Sequence, residues 1–499
     1  METGVDEMSW DDLGKNEMEW PDVRRVTEYR RTVYGVVKDV ILNGEWSFPI
    51  KMDDPAWALI MGFEHERIHL ETSSVLMREL PLHLVTRPAQ FPPSHPSAYD
   101  ANSSSRRVHN SLVPVPGGLV ELGKPSEWPS FGWDNEYGER RVQVDGFLVS
   151  KFHVTNAEFL DFVKAGGYAD ERHWSEAGWQ WRTFRNVLFP TFWVPDGPVG
   201  LHRYKLRLIF EVVDLPAAWP VNVNAHEARA YCNWRSAMDA PEHPFRLITE
   251  AEHHRIRDAA TRDVARGTGR DMSMVYEGAR MAAGTEDCNR YNLQLAWGSE
   301  SPVDALAAAS SGAHDSMGNV WTWTEDDFNP LEGFAVSPLY MDFSTPCFDG
   351  LHTMIMGGSF ISTGDEASIF SRFHFRPHFH QHAGFRIVSA PSCRATVLPK
   401  KGTNGASAPR AAPKQESIRY YETEALVNEY MLFHYGARKD VLPWDQGPSS
   451  ALGFPARAAR KASVLRVPAS TMRQALGYCL LWCLRTSRGD CRGGAYWEA

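Results

Sequence analysis

Five prolines between residues 81 and 96 (Pro81, Pro88, Pro92, Pro93 and Pro96) split this chain into stretches with different periodicities. Proline lacks an N–H and clashes with the preceding turn, so no helix continues through such a run. Upstream the pattern is helical. Val26, Tyr29, Val33, Val36, Val37, Val40 and Ile41 recur at near-helical spacing between Val23 and Leu42, and Asn43-Gly44 is a stop signal. A second helix is expected from Pro55 to about Glu79. Residues 1–86 therefore read as a helical domain and 87–109 as a linker or exposed crossover.

From residue 110 to 393 the texture changes. Short apolar runs such as Phe147–Val154 and Phe385–Val388 sit between Gly, Pro and Trp, with only a few helices expected, notably Asn156–Ala165 and Ala225–Ala237. That is the pattern of a loop-rich α+β domain. The chain holds 18 Trp, a residue whose bulk and N–H favour irregular folds and ring-lined pockets. No fixed-period repeat is visible. Residues 394–416 read as a disordered Pro/Ala/Lys linker, Glu422–Tyr435 as a short helix, and 456–499 as an atypical Arg- and Cys-rich tail. At 499 residues the chain exceeds one ordinary core, which fits this multidomain reading.

The formal net charge of -10 argues against general affinity for nucleic acid or an anionic membrane. No run of about 18 apolar residues suits a membrane span, and the acidic N-terminus lacks the layout of a signal peptide. The seven scattered Cys include no CxxC pair, so they read as reduced thiols in a cytoplasmic protein.

The strongest local signal is His65-Glu66-Arg67-Ile68-His69-Leu70-Glu71. Two His at i and i+4 share one helix face, so both imidazoles reach one metal ion, with Fe(II), Zn and Cu all suited. The same spacing also occurs on ordinary amphipathic helices. Glu66 after the first His matches HExxH, which keeps a zinc hydrolase open. Glu71 lies about 200° round the helix from His69 and is expected on a neighbouring helix or behind the ligands, not among them.

The segment Gly62–Ser73 and the opening Gly4–Leu13 resemble the sulfoxide synthases of ovothiol biosynthesis. So does an ordered series of pieces, among them Val154–Phe159, Pro220–Asn224, Arg246–Glu252, Gly318–Thr324, Gly357–Ser359 and Ala383–Arg386. The resemblance covers roughly residues 4–455. It implies a partial DinB-like helical bundle followed by a C-type-lectin-like domain akin to the formylglycine-generating enzyme. It also implies an enzyme that joins cysteine to the imidazole of histidine with Fe(II) and O2, giving 5-histidylcysteine sulfoxide. His65 and His69 become metal ligands and Tyr340 the catalytic tyrosine. The stretch Arg372–His382 has four His and two Arg, and Arg372, Arg376, His378 and His380 are its candidates for binding substrate carboxylates. Alternation with Phe there also fits a strand with one polar face. Asn319 and Arg386 are expected to tie loops, Trp321 and Trp323 to be core, and Cys232 to be a buried thiol.

Relatives carry a third His on a helix before the Gly4–Trp10 segment, whereas His65 is the first histidine here. Impaired iron binding is therefore expected. They also end in a methyltransferase domain. No Gly-rich turn follows Val427–Gly436, so no S-adenosylmethionine site is expected. Three other readings stay open. An ergothioneine-type synthase uses trimethylated histidine, but Ile68 stands where Gln is expected in that relative. A formylglycine-generating enzyme needs two redox Cys, and Gly357–Arg386 has none. A non-catalytic binding remnant is the third.

Overall fold

A computed structural model of the chain describes residues 21–44, 50–126, 128, 130–239, 241–257, 291–390 and the pair Thr396–Val397. Apart from that pair, the expectations placed on Gly4–Leu13, 394–416, Glu422–Tyr435 and 456–499 lie outside the described residues, as do five of the seven Cys. Among the described residues no helix is long and apolar enough to cross a membrane.

The two N-terminal helices form where periodicity places them. Helix α1 spans Val23–Asn43, and the Asp22 carboxylate caps it by accepting from the Arg25 N–H at 2.9 Å. None of its residues is buried, and Val26, Tyr29, Val33, Val36 and Val40 stay exposed. Helix α2 spans Trp57–Glu79 and is embedded along one side. Met61, Glu64, Ile68, Glu71, Val75 and Arg78 are buried, a stripe stepping by three and four residues along its length. Three of these six positions are charged, so α2 is held by specific polar contacts as well as apolar burial.

The rest is a loop-rich α+β body. In chain order its strands are β1 (Leu112–Val115), β2 (Gly118–Leu122), β3 (Arg140–Val144), β4 (Phe147–Ser150), β5 (Trp193–Pro195), β6 (Tyr204–Arg207), β7 (Val212–Asp214), β8 (Phe245–Arg246), β9 (Trp321–Asp327), β10 (Thr353–Met356), β11 (Phe373–Phe375), β12 (Ala383–Gly384), β13 (Val388–Ser389) and β14 (Thr396–Val397). Its helices are α3 (Asn156–Lys164), α4 (Glu176–Phe184), α5 (Ala225–Asp239) and α6 (Glu250–Ile256). Helices α3 and α5 match expectation to within two residues. Of the apolar run Phe147–Val154 only Phe147–Ser150 is strand, and Thr155 then caps α3 in a box with Glu158.

Two four-stranded sheets matter most. One runs β1-β4-β13-β8, so strands from the start of the domain close against one from its end, with Val149 opposite Val388. The other runs β11-β10-β9-β12 and carries Trp321 and Trp323 into the core at 0% exposure. Between the sheets Arg386 donates to the carbonyls of Ser150, Lys151 and Asp315. Asn319 holds φ at +67° and bonds Ser301 and Asp315. Both residues tie loops, as expected, and asparagine is among the few side chains that tolerate such a backbone. Cys232 is buried with a thiol pKa pushed up by that burial.

Candidate active site

Helix α2 presents His65 and His69 beside its buried stripe, with ring centroids 4.5 Å apart and planes nearly perpendicular. His65 is half-buried and His69 exposed, so the pair opens to solvent on one side. This is the arrangement that i,i+4 spacing dictates, and it fits two imidazole ligands of one metal ion. Among the described residues, no third His, Cys, Asp or Glu gathers with these two into a metal-sized group. Of the 19 His only His434 lies outside the described residues. Glu66 is exposed on the same helix.

Tyr340 arrives from 275 residues further along and stands edge-on to His65, ring centroids 5.7 Å apart. It is placed by packing. Trp57, Met61 and Ile68 of α2 join Phe131 and Trp133 in one apolar cluster, against which Leu339, Tyr340 and Phe343 pack. Trp133 stacks on Phe343 at 3.9 Å. Ser344 Oγ donates to Asp134 Oδ1 at 2.5 Å, and the Asn135 amide donates to Ser344 Oγ at 3.2 Å. Both ends of the short segment that carries Tyr340 are thus fixed, since Ser337 N–H also donates to Asp134 Oδ2 at 3.4 Å.

Glu71 turns away from the pair, but its partners are not on a neighbouring helix. Its carboxylate accepts from Ser359 Oγ at 2.7 Å, Ser362 Oγ at 2.6 Å and Trp321 Nε1 at 3.1 Å, all from loops and strands of the second sheet. Burial nevertheless raises its pKa to about 7. Two turns before it, Glu64 Oε2 accepts from Asp365 N–H at 2.8 Å. One turn beyond Val75, Arg78 donates to Glu300 at 2.8 Å and to the Arg207 carbonyl at 2.6 Å, with its guanidinium 4.1 Å from the Phe192 ring. Ser74 donates to the Glu71 carbonyl at 2.6 Å, so His382 Nε2 donates to Ser74 Oγ at 2.7 Å, and its Nδ1 accepts from Arg78 at 3.3 Å. These contacts set the angle at which α2 offers its histidines.

The basic stretch 372–382 is reassigned by the structure. Arg372 is buried and spent internally, donating to Glu250 Oε1 at 2.7 Å and to the carbonyls of Asn135 and Asn329. Its fork is therefore not offered to a substrate carboxylate. Arg376 Nη2 lies 3.7 Å from Asp349. His380 Nε2 pairs with Thr191 Oγ1 at 2.9 Å, and burial lowers its pKa to about 4. The His378 ring packs on Phe379 at 4.7 Å. His374 and His382 are buried elsewhere in the fold, His374 stacked on Phe328 at 3.9 Å. No polar face forms, because β11 is three residues long and His374 and Phe375 are both buried. Sequence reasoning missed Glu64, Arg78, Ser359 and Ser362. The one available signal was three charged residues exactly seven apart (64, 71, 78), which no apolar pattern highlights.

The sulfatase-modifying factor enzyme 1-like domain model matches residues 98–391. Similar curated relatives include three that show the extent of the match. A hercynine oxygenase of Mycolicibacterium thermoresistibile is 30% identical over 67% of this chain and 68% of its own length. That of Mycolicibacterium smegmatis is 30% identical, covering 62% of this chain and 65% of the relative. Ergothioneine biosynthesis protein 1 of Neurospora crassa is 23% identical, covering 74% of this chain and 47% of the relative. The chain thus spans about two thirds or less of these proteins.

Proposed function

Because this chain belongs to the sulfatase-modifying factor enzyme 1-like family, we propose that it is a non-haem iron, O2-dependent sulfoxide synthase joining cysteine to the imidazole of histidine. The observation that carries the reading is the meeting of His65 and Tyr340 at 5.7 Å. A histidine pair alone suits several metals and reactions; a phenol held against it adds a proton donor at the reacting centre. On this reading α2 and its neighbour α1 are what the described residues hold of a DinB-like bundle.

The overall change balances without an external reductant. Thiol and imidazole lose the S–H and one C–H hydrogen, a C–S bond forms, and O2 divides between the sulfoxide oxygen and one water. Ferrous iron held by His65 and His69 would supply O2 activation and lower the thiol pKa by coordination. The chain's own residues do the remainder. The apolar cluster around Ile68, Phe131 and Trp133 excludes water from one side of the pair. Tyr340 holds a proton at Oη on that side. Glu71, Ser359 and Ser362 fix the helix that carries the ligands.

The ovothiol form of the reaction rests on the family resemblance and on Ile68, an apolar side chain at the position before the second His. A second reading has its own support. The named relatives include hercynine oxygenases, so a trimethylated histidine is the competing substrate.

The experiment is aerobic incubation of the purified chain with Fe(II), cysteine and either histidine or its Nα-trimethyl form. Mass spectrometry reads the products and an electrode reads O2. Histidylcysteine sulfoxide with O2 uptake is expected. Adduct only from trimethylhistidine would move the chain to the second reading. Peptide hydrolysis with zinc and no O2 uptake would defeat both.

A further inference from the structure

Cys347, His352 and His374 meet in the core, and the proposed reaction uses none of them. Their potential ligand atoms all lie within 4.8 Å of one another. Cys347 closes the 3-10 turn Thr345–Cys347, His352 stands just before β10, and His374 is central in β11. The ladder explains the meeting. Met354 pairs directly with His374, and His352, two residues earlier, falls on the same face. All three are buried, at 2%, 1% and 7% exposure.

Two buried nitrogens point to a ligand. His352 Nδ1 donates to Asp349 Oδ1 at 2.9 Å, which fixes the tautomer and leaves Nε2 as an acceptor. That Nε2 has no hydrogen-bond partner, and neither has Nδ1 of His374. A buried polar nitrogen without a partner costs roughly 1–3 kcal/mol, so two on neighbouring rings 5.2 Å apart call for an explanation. A carboxylate holding the far N–H of an imidazole is the usual support behind a metal-ligating histidine. Arg376 lies 3.7 Å from the other Asp349 oxygen, which orients that carboxylate and offsets its charge.

We infer that Cys347, His352 and His374 form a metal site distinct from the His65–His69 pair, taking zinc through one thiolate and two imidazoles. Tetrahedral zinc with these donors needs separations of about 3.5 Å, so the group closes on the ion by side-chain shifts of about 1 Å. A thiolate with two imidazoles favours zinc over Mg or Ca, which take oxygen donors. The fourth position is left to water. The ion pins the turn at Thr345–Cys347 onto the second sheet, and that turn continues directly from the segment presenting Tyr340. The site does not depend on the proposed reaction.

The test uses the full chain, stripped with chelator and reloaded with Zn(II) or Co(II). Metal per chain is measured by mass spectrometry, and the cobalt form by absorption. Expected are one zinc per chain in the His65→Asn/His69→Asn double variant and a sulfur-to-cobalt charge-transfer band in the near ultraviolet. Cys347→Ser and His374→Asn should each abolish that band, with the double variant keeping it. The wild-type cobalt spectrum needs no variant to fold, and absence of the band overturns the inference. So does a band that survives in Cys347→Ser or vanishes with the helix pair. Loss of O2 uptake in the double variant while zinc stays bound separates this site from the proposed reaction.

Discussion

The Tyr340 ring stands edge-on to the His65 imidazole at 5.7 Å, and its neighbours Leu339 and Phe343 pack on the apolar side of the same helix. The phenol is thus delivered by packing, so its hydroxyl can be removed without moving the ring. Tyr340→Phe should change stability by no more than about 1 kcal/mol. The product balance should shift from C–S coupling towards cysteine sulfinic acid. Mass spectrometry of products from cysteine and histidine decides it, and an unchanged ratio would leave Tyr340 with a packing role only.

Iron uptake should depend on both helix histidines. Losing a residue behind a ligand typically weakens metal binding 10–100-fold, so losing a ligand should cost about 100-fold or more. His65→Asn and His69→Asn should each do so under anaerobic loading with Fe(II). The exposed His69 should tolerate substitution with little change in melting temperature. Metal titration alongside thermal unfolding separates binding from folding.

The helices were the legible part of this fold. Apolar periodicity and Asn-Gly or Pro punctuation locate α1 and α2, and α3 and α5 follow from the same signals. Helix α6 carries its own start signal in the sequence, since Thr249-Glu250-Ala251-Glu252 is a capping box with both bonds made. The sheets were not legible. Their strands are two to seven residues long, and β4 finds β13 across more than 200 residues, a pairing that no local pattern encodes. The site divides the same way. His65 and His69 are neighbours by helix geometry alone. Tyr340 joined them only through resemblance. The roles of Arg372 and Glu71 depend on partners more than 100 residues away, and that of Cys347 depends on the β10–β11 pairing that brings His374 beside His352.

Arg78 should be the most sensitive residue of the α2 contact. It forms a buried ion pair with Glu300 at 2.8 Å, both side chains being 1% exposed. Removing one member strands the other charge in the interior, which typically costs about 3–5 kcal/mol. Arg78→Met should fall in that range in denaturant unfolding. Arg78→Met/Glu300→Gln should recover a large part of it, because no uncompensated charge remains. Recovery absent from the double variant would mean that the Arg207 carbonyl and the Phe192 ring, not the ion pair, hold Arg78.

Glu71 should make the seat of α2 weaken as pH rises. Its folded pKa is about 7 against an ordinary 4.5, raised by burial. Below pH 4.5 the group is protonated in both folded and unfolded chains. Between 4.5 and 7 the unfolded chain gives up its proton while the folded chain keeps it, so stability falls with pH and levels off above 7. A displacement of this size corresponds to roughly 3 kcal/mol. Glu366 moves the same way, since Glu71 and Glu64 add like charge to its burial. Glu71→Gln keeps the shape, accepts from Ser359, and can donate to Ser362 in place of accepting. The difference in unfolding free energy between the variant and the parent should therefore be small near pH 4.5 and grow in the variant's favour up to pH 8. Denaturant titrations across that range measure it. A constant difference at all pH values would mean that Glu71 is ionised in the fold and that its three hydrogen bonds outweigh the cost of burial.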